Sequence, residues 1–257
     1  MCRLALLNDE GIRYIEKNLG GINRLFNHLE DSFGGQGNGY AVFKKDGSKI
    51  IKKGVNLKNE TISQYILKNL HNISWVMYHT RIASISGISD NNCHPFIYGN
   101  KILMMNGTEI AYDLNNNMTD TENVLRLSAQ SNVKLQQATK TLKSVFIGFD
   151  KGLYITKGRG DLLLLKENEA VVFASSFPEN YSEKNTVYEA PKMWEEGDRL
   201  ISKNLVKYVK KSYLKGNYSL DKYYDELFKQ YDREYHDEMR KYYNDLEMCR
   251  VGETIDY

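Results

Sequence analysis

At 257 residues the chain is long enough to bury a full core, as one large domain or as a domain with an appendage. Charged residues make up 26% and hydrophobic ones 41%, the balance of a soluble globular protein. A net charge of +2, with no block rich in Lys and Arg, gives no footing for nucleic acid or a membrane surface as partner.

The opening, MCRLALLNDEG, has an apolar run of only a few residues before its acids, so it does not read as a secretion signal. Arg3–Leu7 reads as a buried strand, and residues 9–31 carry a helical pattern through Ile12, Ile15, Leu19, Ile22, Leu25 and Leu29. GGQGNGYAVF is a glycine-rich turn feeding a strand. KDGS then closes a hairpin into KIIKK, because Asp-Gly is a strong two-residue turn signal. Residues 60–72 read as helix, WVMYHTR as a buried strand, and FIYGNKILMMNG as two short strands about a Gly-Asn turn. TDTENVLRLSAQ opens a helix with Thr119 three residues before Glu122, the capping-box spacing. SVFIGF, LYITKG, DLLLLKE and AVVFASS follow as four strands with tight turns between them. Many strands with helices between them predict a layered α+β domain over residues 1–193. No apolar run approaches the ~18 residues of a membrane-spanning helix. The three cysteines, Cys2, Cys93 and Cys249, are few, odd in number and far apart, which argues against a disulfide framework, so a cytoplasmic protein with reduced thiols is expected.

The character changes over residues 194–257, where Lys, Asp, Glu and Tyr dominate and ten of the 19 tyrosines lie at or beyond Tyr208. Residues 220–247 hold Leu220, Tyr224, Leu227, Tyr231, Tyr235 and Met239 at helical spacing with charges between them and no Pro or Gly. A long amphipathic helix is expected there, either docked on the domain or binding a partner.

A cysteine at the second position is a small buried hydrophobe or a nucleophile. Methionine before a small side chain is normally cleaved, which would leave Cys2 with a free α-amine. That amine has an ordinary pKa of roughly 7.7–8.0 against about 8.5 for the thiol. In its neutral form it can take the thiol proton, so that one residue serves as both nucleophile and base. Such chemistry needs no catalytic histidine, which suits a chain with five histidines and no triad-like setting.

MCRLALLN, GGQGNGYAV, HTRIAS, NNCHPF, MMNGTEI and TDTENVLRL occur in this order across roughly residues 2–190. Order and spacing resemble the class II glutamine amidotransferases, N-terminal nucleophile hydrolases with a four-layer αββα sandwich. The resemblance implies Cys2 as the nucleophile that attacks the side-chain amide of glutamine, forming a γ-glutamyl thioester and releasing ammonia. It implies Asn106 and Gly107 as the oxyanion hole, where the plain alternative is an Asn-Gly turn. Arg81 would grip the substrate α-carboxylate, against the alternative of a surface ion pair. Asp120 would hold the α-ammonium, against the alternative of helix capping. His79 and His94 match positions that look structural, and the adjacent Cys93 and His94 do not make a metal site. Neither metal nor cofactor is needed for the thiol chemistry.

The sequence departs from the synthase members of that family at several positions. Arg3 follows the cysteine where they carry Gly, Gly34–Gly35–Gln36 replaces an Arg-Gly turn, and Ile82 and Ser84–Ile85 replace an aromatic and a Thr-His pair. MCRL looks more like a stand-alone branch that includes γ-glutamyl amide hydrolases. The expected function is therefore a glutaminase that hands ammonia to a separate acceptor enzyme, with a synthase subunit or a second copy as partner. Residues 194–257 are too few and too polar to be the synthase. The alternatives are a stand-alone amidohydrolase of another γ-glutamyl amide and a catalytically silent binding module of the same fold.

Overall fold

The first expected strand is β1 (Arg3–Asn8) in a computed structural model, which describes residues 2–84, 86–114, 117–182, 186–200 and 204–207. The helix expected over residues 220–247 lies outside them. The pattern over residues 9–31 resolves into two helices, α1 (Asp9–Asn18) and α2 (Ile22–Phe33). The break at Leu19–Gly21 is held by Glu16, whose Oε1 accepts from the Ile22 N–H at 2.7 Å. The Asp-Gly hairpin joins β2 (Asn38–Lys44) to β3 (Lys49–Gly54), with the Asp46 carboxylate accepting from the Ser48 N–H at 2.8 Å. α3 (Asn59–Asn69) leads to β4 (Ile73–Thr80), and the Gly-Asn turn joins β5 (Phe96–Tyr98) to β6 (Lys101–Asn106).

α4 (Asp120–Gln130) starts where its cap predicts, the Thr119 hydroxyl accepting from the Glu122 N–H at 3.2 Å. The Glu122 carboxylate turns along the helix to Arg126, at 2.9 Å. A short α5 (Leu135–Thr139) precedes the four expected strands, β7 (Val145–Phe149), β8 (Leu153–Lys157), β9 (Leu163–Glu167) and β10 (Ala170–Ala174). α6 (Glu179–Ser182), β11 (Val187–Glu189) and β12 (Met193–Glu195) complete the described elements. These strands lie in one compact unit, Met1–Val209, in which Trp194 is buried against Trp75 and Phe173.

The strands form two antiparallel sheets, so the class is α+β. The seven-stranded sheet runs β11-β9-β10-β1-β4-β2-β3 and the five-stranded sheet β12-β8-β7-β6-β5. The four late strands are therefore divided, β7 and β8 in one sheet, β9 and β10 in the other.

Strand periodicity explains why β1 reads as a continuous apolar run. Ala5 and Leu7 face a core shared with Ile12, Ile15, Leu25 and Phe26 of the first two helices. Leu4 and Leu6 face the opposite way, into a core with Ile102, Met104, Val145 and Ile147 of the other sheet. The far face of the smaller sheet packs Leu103, Met105 and Phe146 against Val124, Leu125 and Leu135 of α4 and α5. Each fully buried Leu or Ile contributes on the order of 2 kcal/mol. Among the described residues no helix is long and apolar enough to cross a membrane.

Candidate active site

Strand ends converge at one edge of the two sheets. β1 is central, antiparallel to β4 on one side and β10 on the other, with Arg3 opposite Thr80 and Ala5 opposite Ala174. The residue just before β1 (Cys2), the one just after β4 (Arg81) and the one just after β10 (Ser175) are thus brought to one end. Ser175 binds this corner together. Its hydroxyl accepts from the Leu4 N–H at 3.1 Å, its own N–H donates to the Leu4 carbonyl at 3.0 Å, and the Asn106 side-chain amide donates to the hydroxyl at 3.3 Å. The last contact crosses between the sheets, because Asn106 ends β6.

Cys2 is 6% exposed, and its thiol donates to the Ile82 carbonyl at 3.4 Å. Burial pushes the thiol above its ordinary range; the Arg81 guanidinium pulls it down, and the Asp120 carboxylate adds to burial. Two of the charges that act on the thiol are therefore the residues singled out for a substrate's charged groups; the Ile82 hydrogen bond and the N-terminal ammonium also lower it.

Arg81 is buried rather than at the surface. Its backbone extends the β2–β4 pairing into the glycine-rich turn: its N–H donates to the Gly37 carbonyl at 2.8 Å and its carbonyl accepts from Gln36 at 3.0 Å. Gly37 is needed there twice over. Its φ is +136°, and a Cβ would lie 2.3 Å from the Cys93 sulfur. The Gln36 side chain accepts from the Ala83 N–H at 2.7 Å, and the Arg81 guanidinium donates to the carbonyls of Gly87 and Ser86 at 3.2 and 3.3 Å.

Asn106 and Gly107 do not form the hairpin turn that the pair alone suggests, since α4 and α5 intervene before β7. Asn106 is buried, and its Oδ1 has no partner among the described residues. Gly107 has φ +143°, and a Cβ there would lie 2.2 Å from the Ser144 hydroxyl oxygen. Ser144 is fixed in turn by its N–H, which donates to the buried Glu109 carboxylate at 2.7 Å.

Asp120 opens α4 behind its cap. Its carboxylate accepts from the Glu109 and Thr121 N–H groups, both at 2.8 Å. Part of the capping alternative is thus realised, since the Thr121 N–H is one of the helix's first-turn donors. Burial raises the Asp120 pKa to about 6; the two N–H donors oppose it, and the nearby Glu109 and Asp113 carboxylates add to it.

His79 and His94 are buried, as the sequence leads one to expect of core residues. Ser175 and Glu109 do not stand out in the sequence, and Gln36 does so only as a departure in the glycine-rich turn. A single Ser after an apolar strand, or a Glu after Asn-Gly, has no local signature; their roles arise only when distant strand ends meet.

No family model and no curated protein matches the chain. Solved structures similar to it include a glutamine aminotransferase class-II domain protein from Silicibacter pomeroyi, at 14% identity, with 76% of this chain and 98% of that one covered and a TM-score of 0.42. Another is glutamine phosphoribosylpyrophosphate amidotransferase from B. subtilis in complex with ADP and GMP, at 15% identity and a TM-score of 0.47, covering 76% of this chain and 49% of that one. This chain thus spans about half the length of the second protein.

Proposed function

We propose that the chain is a glutaminase of the class II amidotransferase type, built as a four-layer αββα sandwich whose core takes in β12 and Trp194, so that the sandwich runs past the expected boundary at residue 193, with the later residues as an extension. The observation that carries this reading is the meeting of Cys2, Arg81, Asn106 and Asp120 at one end of the two sheets. The Ser175 bridge joins the first strand to Asn106, and the Arg81 and Asp120 charges act on the Cys2 thiol. The three stacked cores support the layered fold.

In this reading removal of Met1 gives Cys2 a neutral α-amine, which takes the thiol proton that burial otherwise retains. The thiolate attacks the side-chain carbonyl carbon of glutamine, and the negative charge moves onto oxygen, where the Asn106 amide and the Gly107 N–H stabilise it. Collapse breaks the C–N bond. The proton held by the amine goes to the departing nitrogen, ammonia leaves, and a γ-glutamyl thioester remains on Cys2. Water then adds to the thioester carbon, gives a proton to the amine and releases glutamate and the thiol. Arg81 and Asp120 bind the substrate's α-carboxylate and α-ammonium and hold the amide against the sulfur. The ammonia passes to a separate acceptor enzyme in the cytoplasm, and no cofactor enters the cycle.

Incubating protein that begins at Cys2 with glutamine, and separately with a glutamine-like diazo-ketone, tests the proposal. Ammonia release and a covalent adduct on Cys2 are expected, and Cys2→Ser should abolish both while keeping the fold. Glutamine binding with Cys2 left unlabelled and no ammonia would sink the enzyme reading in favour of a silent binding module.

A further inference from the structure

Two buried imidazoles lie against each other beside this site. The rings of His79, on β4, and His94 have centroids 4.0 Å apart, and Phe96 meets the His94 ring edge-on at 4.8 Å. Packing alone would be served as well by phenylalanine. Each ring instead makes one polar bond, and each bond ends on a segment that carries a proposed site residue. His79 Nε2 lies 3.0 Å from the carbonyl of Met105, the residue before Asn106. His94 Nε2 lies 2.9 Å from the hydroxyl of Thr121, the residue after Asp120.

The bond directions follow from the partners. A carbonyl can only accept, so His79 carries its proton on Nε2. The Asp120 carboxylate is also an acceptor, and the Thr121 hydroxyl is 3.5 Å from its Oδ1. If Thr121 donates to Asp120, it accepts from His94 Nε2–H. In both rings Nδ1 then lacks a partner among the described residues as a bare lone pair, a lesser cost than a stranded N–H. Burial holds both imidazoles far below their ordinary pKa, His79 at about 3, so both stay neutral and act as fixed donors rather than acids or bases.

We infer that His79 and His94 are positioning residues: His94 orients the Asp120 carboxylate through the Thr121 hydroxyl, and His79 ties the end of β6, and with it Asn106, to β4. The inference rests on the glutaminase reading. It divides the two rings by kinetic parameter, because Asp120 is assigned to substrate binding and Asn106 to the charge that develops on oxygen.

Steady-state kinetics on the full chain test it. Thr121→Val removes the hydroxyl at constant shape and should raise KM for glutamine roughly 2- to 10-fold, the worth of one hydrogen bond, with kcat moving far less. Thr121→Ser should restore KM. His94→Gln, which keeps an N–H near the Nε2 position, should do better than His94→Phe. His79→Phe should lower kcat by a similar factor with KM nearly constant, and His79→Gln should recover part of it. Equal KM in wild type and Thr121→Val, or kcat and KM changing together in both series, would overturn the inference. Should the phenylalanine variants not fold, the Val and Ser variants of Thr121 decide it. Wild-type protein that releases no ammonia overturns the glutaminase reading itself, whereas turnover without the split removes only the positioning role.

Discussion

If Asp120 holds the α-ammonium of glutamine, as proposed, its raised pKa should make glutamine affinity a function of pH in a window where glutamine's own α-groups do not titrate. Burial places the free carboxyl at about 6, and only the ionised form can pair with an α-ammonium. The dissociation constant should then scale as 1 + 10^(pKa − pH), which is about 1.1 at pH 7, about 2 at pH 6 and about 11 at pH 5. Titration calorimetry on Cys2→Ala, which in the proposed mechanism lacks the nucleophile, measures this directly. Stability moves in the opposite direction. The folded pKa lies above the unfolded value of 3.8, so the contribution of Asp120 is fully present below about pH 4 and is lost as pH rises through about 6. The loss amounts to about 3 kcal/mol by linkage. The neutral histidines titrate alike in wild type and in Asp120→Asn, so the difference between the two melting curves isolates the carboxyl: Asp120→Asn should gain on wild type between pH 4 and 7. A dissociation constant that is flat from pH 7 to 5, or one that falls off equally in Cys2→Ala/Asp120→Asn, would refute the argument.

Arg81→Lys should raise KM for glutamine about tenfold or more, because an ammonium cannot make the paired hydrogen bonds of a guanidinium. It should also increase proteolysis near Ser86–Gly87, whose carbonyls the guanidinium now holds; an unchanged KM would return Arg81 to a purely structural role. Gly107→Ala places a Cβ 2.2 Å from the Ser144 hydroxyl oxygen at φ +143°. It should cost about 2–3 kcal/mol in denaturant unfolding, with Ser144→Gly recovering the clash but not the backbone strain. An unchanged unfolding midpoint in Gly107→Ala would show that the loop can move aside.

Elements defined by neighbouring residues were legible in the sequence. The apolar run of β1, the Asp46–Gly47 hairpin and the Thr119 cap each depend on a few adjacent side chains, and each stands where the pattern puts it. The break between α1 and α2 was not legible, because Leu19 and Ile22 continue the apolar spacing across it. The allocation of β7–β10 to two sheets was hidden as well, since it depends on β10 pairing with β1 some 165 residues away. β11 and β12 have three residues each, too few for a period-two signal. At the candidate site, residue types at motif positions could be read: Cys2, Arg81, Asn106, Gly107 and Asp120. The partners of their supports could not, because Ser175, Glu109 and the two imidazoles act on groups that only tertiary structure brings near.

The Ser175 bridge also bears on how the molecule must be made. Leu4 and Ser175 bond across 171 positions of the chain, and β1 has no partner on its β10 side until residues 170–174 are in place. Closing a loop of that length precedes any return from the contacts it permits, which is the situation of high contact order and slow assembly. A nascent or truncated chain ending before Ala170 lacks both the strand that flanks β1 and the hydroxyl that accepts from Asn106, however well its helices pack. Two fragments split in the Gly158–Asp161 turn, each incomplete, should therefore be inactive apart and regain the site only on mixing.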